Sequence, residues 1–226
     1  MKAHLYLVST PIGNAEDMTP RALRVLKDAA VVVVEEFKEG HRLLRRFGID
    51  REVEALNEHN ESEMTAQLIA RLLNGDSVAL VSDAGTPVFS DPGLLIVQQA
   101  IVKGIRIVPV PGASSLMPAL IVSGFPIDTF VFHGFLSPKR EKRLEELRRL
   151  RNEPRTTIIM DTPYRLVQVL KDLADVFGES RELCVAFDVT LPSEEIFHGT
   201  PADLHKGFQK EKRKGEFVLV LGPAKG

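Results

Sequence analysis

Short runs of Val, Ile, Leu and Phe, most of them set apart by stretches with helical spacing of apolar residues, constrain this chain more than anything else in it. The runs fall at residues 4–9, 31–35, 77–81, 105–109, 129–133, 156–160, 183–187, 195–198 and 216–221. Short apolar runs that give way to helical patterns, again and again, point to a mixed α/β chain. Through residue 111 the order is strand, helix, strand, which implies right-handed crossovers and a largely parallel sheet. In such sheets ligands sit in the loops at the carboxyl ends of the strands. Thr19-Pro20, Asp91-Pro92 and Thr162-Pro163 each read as an N-cap followed by proline at the first helical position. Around Pro111-Gly112 the pattern restarts with a helix over 114–122, and the later strands come closer together and include hairpins. A second sheet of mixed direction is expected, with domains at 1–112 and 113–226.

The 226 residues, 44% of them hydrophobic, supply enough apolar surface for two modest cores or one large one. The formal net charge of −2 gives no global pull toward nucleic acid or an anionic membrane. Cys184 is the only cysteine, so a disulfide framework and cysteine-rich metal sites are excluded, which suits a reducing cytosol. The six histidines are scattered and suggest no metal cluster. Met1 leads almost directly into an apolar strand with no signal-peptide pattern, and no apolar run reaches the roughly 18 residues of a membrane span. The expectation is a soluble, unprocessed, cytoplasmic protein. Locally, residues 139–151 carry seven Lys/Arg against Glu141, Glu145 and Glu146, with Leu144, Leu147 and Leu150 marking one face. This reads as a solvated helix laced with Glu–Arg pairs, with a phosphate-binding surface as the alternative, and the basic run 206–214 reads the same way.

Three loops of small and turn-forming residues directly follow apolar strands. They are Ser9-Thr10-Pro11-Ile12-Gly13-Asn14, then Ser82-Asp83-Ala84-Gly85-Thr86-Pro87 through Ser90-Asp91-Pro92-Gly93, and Pro109-Val110-Pro111-Gly112-Ala113-Ser114-Ser115. Glycine lets backbone approach a ligand, and Ser, Thr and Asp offer polar partners without bulk. Together they describe the floor of a cleft for a polar small molecule. The chain lacks G-x-x-x-x-G-K-[ST] and lacks G-x-G-x-x-G after its first strand, which moves nucleoside triphosphates and dinucleotides down the list. Gly112-Ala113-Ser114-Ser115 also misses the second glycine of a nucleophile elbow, against a serine hydrolase.

Taken as a set, Ser-Thr-Pro-Ile-Gly-Asn at 9–14, Val-Ser-Asp-Ala-Gly-Thr-Pro with Ser-Asp-Pro-Gly at 81–93, and Pro-Gly-Ala-Ser-Ser at 111–115 resemble the tetrapyrrole methylase superfamily. Within it the chain looks most like the bacterial branch that methylates a ribose 2′-oxygen of cytidine in 16S ribosomal RNA. Glu58-His59-Asn60-Glu61, Gly134-Phe135-Leu136, Pro163 with Arg165, and Gly215-Glu216-Phe217-Val218 extend the resemblance over the whole chain. The resemblance implies two α/β domains with S-adenosylmethionine in the cleft between them. Carried over by motif, cofactor contacts fall on Pro11, Gly85, Thr86, Pro87 and Phe89, then on Ser114 and Ser115, with Met160 and Ala186 on the adenine side. It also implies no metal, a homodimer, and ribosomal RNA or the small ribosomal subunit as partner.

On the acceptor side the chain departs from the family pattern. Glu35-Glu36-Phe37-Lys38 stands where such proteins read Glu-Asp-Thr-Arg, so a planar bidentate phosphate donor becomes a lysine and a hydroxyl becomes a ring. Met160-Asp161-Thr162-Pro163-Tyr164-Arg165 replaces Tyr-Glu-Ser-Pro-His-Arg, and Ala186-Phe187-Asp188-Val189-Thr190-Leu191 replaces Ala-Arg-Glu-Leu-Thr-Lys. For a ribose hydroxyl, with its high pKa, proton removal should accompany attack, so a positioned base is useful. Glu36, Glu58 and His59 are the candidates, with a structural histidine as the competing reading of His59. Lys38, Arg42, Asn60 and Arg165 are the candidate substrate contacts. Two other functions compete: a methyltransferase for a tetrapyrrole or other small molecule, and a cofactor-binding partner protein that has lost catalysis.

Overall fold

The computed structural model describes residues 3–211 and 213–224, and Lys212 of the basic run 206–214 lies outside them. The chain divides into two compact units, Met1–Ser114 and Ser115–Gly226.

The first unit holds five strands, β1 (His4–Val8), β2 (Val31–Val34), β3 (Glu52–Ala55), β4 (Val78–Val81) and β5 (Arg106–Val110), in the order β3-β2-β4-β1-β5. Every pairing in this sheet is parallel. β2 reads Val-Val-Val-Val and β4 Val-Ala-Leu-Val, all buried, as strands covered on both faces must be. Their alternate residues separate two cores. Val8, Val32, Val34, Ala79, Val81 and Val110 face α1 (Pro20–Asp28) and α2 (Phe37–Arg46). Leu5, Val31, Val33, Val78 and Leu80 face α3 (Glu61–Leu73) and α4 (Leu94–Val102). At about 25 cal/mol per Å² of apolar area, these two layers supply the unit's main stabilisation. β5 is an edge strand, so Pro109 has a place there without an N–H to donate.

The second unit has a mixed sheet in the order β6-β7-β10-β8-β9, from β6 (Phe130–Phe135), β7 (Thr156–Met160), β8 (Leu183–Phe187), β9 (Glu195–Gly199) and β10 (Phe217–Leu221). β6 runs parallel to β7, with an irregularity at Phe132/Gly134, and the other three pairings are antiparallel. One face packs against α6 (Arg140–Arg149), α7 (Leu166–Phe177) and α8 (Pro201–Glu211), through Leu147, Leu170, Leu173 and Phe208. Ile158, Cys184, Ala186, Val218 and Val220 on the other face pack beneath α5 (Leu116–Val122). One parallel and one mixed sheet is the architecture expected.

Four details differ from expectation. β3 has no counterpart among the expected strands. Its Glu-Val-Glu-Ala sequence lies at the sheet edge, where Arg71 of α3 pairs with Glu52 at 2.7 Å and Glu54 at 2.9 Å. Thr19 does cap α1, accepting from the Ala22 N–H at 3.1 Å, but Asp91-Pro92 caps nothing. Instead α4 starts after Gly93, whose N–H donates at 2.8 Å to the Glu61 carboxylate. Thr162-Pro163 opens only a short 3-10 turn ahead of α7, with no side-chain cap bond. Finally, among the described residues no Glu–Arg pair forms along α6. Its Arg140 and Arg143 reach across to Asp172 of α7 at 2.9 Å and 2.7 Å, and Glu146 accepts from the Ser137 N–H. Among the described residues no helix is long and apolar enough to cross a membrane.

Candidate functional site

In the first unit β1 lies between β4 and β5, while the helices after β1 and β4 go to opposite faces of the sheet. That divergence opens a crevice at the carboxyl ends of adjacent strands, where ligands bind in such sheets. The three small-residue loops leave these same strands and are bonded to one another. Thr10 and Gly85 exchange backbone hydrogen bonds, 2.8 Å from the Thr10 N–H and 3.2 Å from the Gly85 N–H, as an isolated antiparallel bridge. The Thr10 hydroxyl donates to the Ser82 carbonyl at 3.0 Å. Ser9 and Thr86 share a hydroxyl–hydroxyl bond of 3.1 Å, and Thr86 also donates to the Ala113 carbonyl of the third loop at 3.3 Å. Thr86 therefore ties all three loops together.

Glycine is required at two of these positions. Gly85 has φ +87°, a left-handed conformation that costs other residues on the order of 1 kcal/mol or more. At Gly112 a Cβ would lie 2.9 Å from the Ser9 Cβ and 3.2 Å from the Ser9 carbonyl oxygen, so only a bare backbone lets the third loop close on the first. Pro87 is buried beside Gly85, whereas Thr86 and Phe89 are exposed. Ser114 ends the first unit; Ser115 begins the second, as the N-cap of α5, without a side-chain cap bond. Met160 and Ala186 also belong to the second unit: Met160 is half-buried at the end of β7, and Ala186 is fully buried in β8 under α5.

A cluster of carboxylates lies at the ends of β2 and β4. Burial, followed by the charges of Asp91, Asp83, Glu36 and Glu58, raises Glu35 above the usual carboxylate range. Asp83 is likewise raised, first by burial and then by Glu39, Glu36 and Asp91, against a backbone hydrogen bond from Glu36 that lowers it. Glu36 and Glu58 are thus in one electrostatic group with Glu35 and Asp83, two residues that sequence reasoning does not single out as bases. No local pattern marks them, because the group forms only when β2 and β4 become neighbours. Glu61, the last residue of the 58–61 motif, binds the N–H groups of Gly93 and Leu95 at 2.8 and 3.3 Å and anchors the second loop to α3.

The remaining candidates are placed as follows. His59 is exposed, its backbone N–H bonded to the Asn57 side chain at 3.1 Å. Asn60 accepts from the Asn57 N–H at 2.8 Å and donates to the Ala55 carbonyl at 2.9 Å, which closes the turn between β3 and α3. Lys38 is exposed in the first turn of α2, and Arg42 pairs with Glu39 at 2.6 Å one turn away. Arg165 forks onto the buried Asp161 at 2.5 and 2.7 Å and donates to the Leu136 carbonyl at 2.8 Å.

Known proteins agree with this reading. The family model for Tetrapyrrole (Corrin/Porphyrin) Methylases matches residues 4–205. A protein of Xylella fastidiosa named Ribosomal RNA small subunit methyltransferase I is 44% identical over 96% of this chain and 80% of its own length. Its namesake in Escherichia coli O157:H7 is 41% identical over 97% of this chain and 78% of its own length. Among solved structures, a diphthine synthase superposes with TM-score 0.78 at 18% identity, covering 98% of this chain and 90% of its own. A Thermus thermophilus uroporphyrin-III C-methyl transferase complexed with S-adenyl homocysteine does so at 0.64 and 21%, covering 97% of each chain. These two show the shared fold. Bonded loops, sheet order and relatives together place this chain in the tetrapyrrole methylase family of S-adenosylmethionine-dependent methyltransferases.

Proposed function

We propose that the chain transfers a methyl group from S-adenosylmethionine to a ribose 2′-hydroxyl of small-subunit ribosomal RNA, acting in the cytoplasm as a homodimer. The observation that carries the reading is the mutual bonding of the three loops through Thr10, Gly85, Thr86 and Ala113. Together with it stands the identity above 40% to relatives named as small-subunit ribosomal RNA methyltransferases.

The donor set fits this cofactor. Residues 9–14, 82–93 and 111–115 contain no Lys or Arg but do contain Asp83 and Asp91, with Glu35 alongside. Hydroxyls, backbone groups and carboxylates suit a sulfonium with an ammonium group and suit a phosphate poorly. Pro11, Gly85, Thr86, Pro87, Phe89 and Ser114 of the first unit would hold it. When bound, the cofactor supplies a methyl carbon already activated toward attack, so no metal is needed.

The chain's own part is to orient the acceptor in line with that carbon and to take its proton. Positioning contributes much of the rate. The proton passes to a carboxylate of the group Glu35, Glu36, Glu58 and Asp83. Burial and the neighbouring carboxylates raise Glu35 and Asp83 above their ordinary range, which favours either as the proton acceptor. Lys38, exposed in the first turn of α2, would meet the acceptor's phosphates, and Arg42 would join it by giving up its surface pair with Glu39. For the dimer, Leu94, Ile101 and Val102 leave an apolar stripe exposed on α4, a surface that a second copy can cover.

The test is methyl transfer from labelled cofactor to small ribosomal subunits and to free 16S RNA, followed by nucleoside analysis. A labelled 2′-O-methylnucleoside is expected. Cofactor binding by calorimetry with no label in either RNA substrate refutes the acceptor; label appearing in a tetrapyrrole instead would identify the small-molecule reading. Light scattering at one chain's mass would refute the dimer.

A further inference from the structure

We infer that the groove between α6 and α7 binds the sugar–phosphate backbone of RNA through Arg148 and Arg151, an inference that rests on the RNA acceptor proposed above. The groove is lined by Arg140, Leu144, Arg148 and Arg151 on one side and by Asp175 and Val176 on the other. Its volume of about 370 Å³ far exceeds the roughly 30 Å³ share of one water. Residues 140, 144, 148 and 151 recur at helical spacing, so one stripe of α6 and the turn after it supplies the whole wall.

The arginines of this segment are not equivalent. Arg143 is buried and commits its N–H groups to Asp172 at 2.8 Å and to the carbonyls of Ser137 and Pro138 at 2.9 and 3.1 Å. Arg140 is held by Asp172 at 2.9 Å and Asp175 at 3.0 Å. Together they pin α6 to α7 and fix the walls. Arg148 and Arg151 are exposed and, among the described residues, enter no ion pair. Around the groove four arginines meet two aspartates, so two positive charges are left unbalanced.

Cations in a last helical turn also favour the helix dipole, which is the plain explanation for Arg148 and Arg149. It does not account for Arg151, which lies beyond the helix end. The backbone there is held rigid from below: buried Arg181 donates to the carbonyls of Leu150 at 3.2 Å and Arg151 at 3.0 Å, and also to that of Gly222. A guanidinium projected from a fixed backbone into an open groove is pre-organised to grip a phosphate with two parallel N–H bonds. The chain's net charge of −2 offers no general attraction to RNA, so recognition must come from a local surface of this kind.

The test is binding of small subunits and a 16S RNA fragment over a salt series, with methylation kinetics, for the wild type, Arg148→Ala/Arg151→Ala, and a control, Arg21→Ala/Lys27→Ala, which removes the same charge from α1. The groove variant should bind RNA about tenfold more weakly and lose about 1.4 from the slope of log K against log salt, two single-strand phosphate contacts at about 0.7 each. Its KM for RNA should rise while kcat, cofactor affinity and Tm hold. The control should match the wild type. Equal RNA affinity and salt slope in groove variant and wild type overturn the inference and leave the methyltransferase reading standing. An equal loss in the control also overturns it, since net charge would then be the cause. A wild type that neither binds nor methylates ribosomal RNA overturns both.

Discussion

Gly112→Ala tests whether the three loops work as one unit. The new methyl would lie 2.9 Å from the Ser9 Cβ and 3.2 Å from the Ser9 carbonyl oxygen. Carbon atoms rest at about 3.5–4.0 Å, so the third loop must withdraw by roughly 0.6–1.1 Å. Ser9 cannot yield instead, because its N–H is bonded to the Val110 carbonyl at 3.1 Å and its hydroxyl to Thr86. The Thr86–Ala113 bond, already 3.3 Å, would stretch past hydrogen-bonding range. Overpacking of this kind costs about 1–3 kcal/mol. For a chain of this size each kcal/mol moves the melting temperature by about 2–4 °C, so a fall of roughly 2–12 °C is expected. Cofactor affinity should fall about tenfold, equivalent to about 1.4 kcal/mol. Gly207→Ala in α8 is the contrast. Its Cβ would meet nothing within 4 Å, and the helix should gain roughly 0.5–1 kcal/mol. Differential scanning fluorimetry and calorimetry on both variants decide the matter. A Gly112→Ala protein with wild-type melting and wild-type affinity would show that the close approach of the loops is irrelevant to the site.

Asp172→Ala would strand the guanidinium of Arg143 in the second core, and urea unfolding should record a loss of about 3–5 kcal/mol; a loss under about 1 kcal/mol would refute the buried pairing. Glu35 and Asp83 have raised pKa values, so the folded state holds their protons more tightly than the unfolded state does, and their contribution to stability falls as pH rises from the ordinary values of 4.5 and 3.8 through the raised folded ones. Glu35→Gln and Asp83→Asn should therefore stabilise the cofactor-free chain at pH 7 while slowing methyl transfer, and thermal melts at pH 4 and pH 7 should show the gain only at the higher pH. Burial pushes the Cys184 thiol up to about 11, so a thiol reagent at pH 8 should label it only in denaturant; rapid labelling of the native chain would contradict its place under α5.

What is legible in the sequence is whatever neighbouring residues decide. β2, β4, β8 and β10 are interior strands whose unbroken apolar runs announce burial on both faces, and Thr19-Pro20 carries its cap bond within three residues. β3 is hidden because an edge strand needs no apolar run. Glu52 and Glu54 look like loop residues until Arg71, well along the chain, pairs with both. Asp91-Pro92 misleads for a related reason: it has the form of a cap, but the N–H groups that need one are taken by Glu61 of another helix.

The same distinction divides the candidate site. Loops that bind through backbone and small side chains carry their function in consecutive residues, so the segments at 9–14, 82–93 and 111–115 can be read directly, and the structure bonds them together. Long charged side chains carry theirs in the partner they find. Arg165 is committed to Asp161 four residues away, and Asn60 to its own turn. In the basic segment at 139–151, Arg140 and Arg143 are committed to Asp172, 32 and 29 residues on, while Arg148 and Arg151 are not. Nothing in composition or spacing separates a committed arginine from a free one. Acceptor recognition in a chain like this should therefore be sought first among the cations left over once the folded structure has paired the rest, ahead of one held in a surface pair such as Arg42.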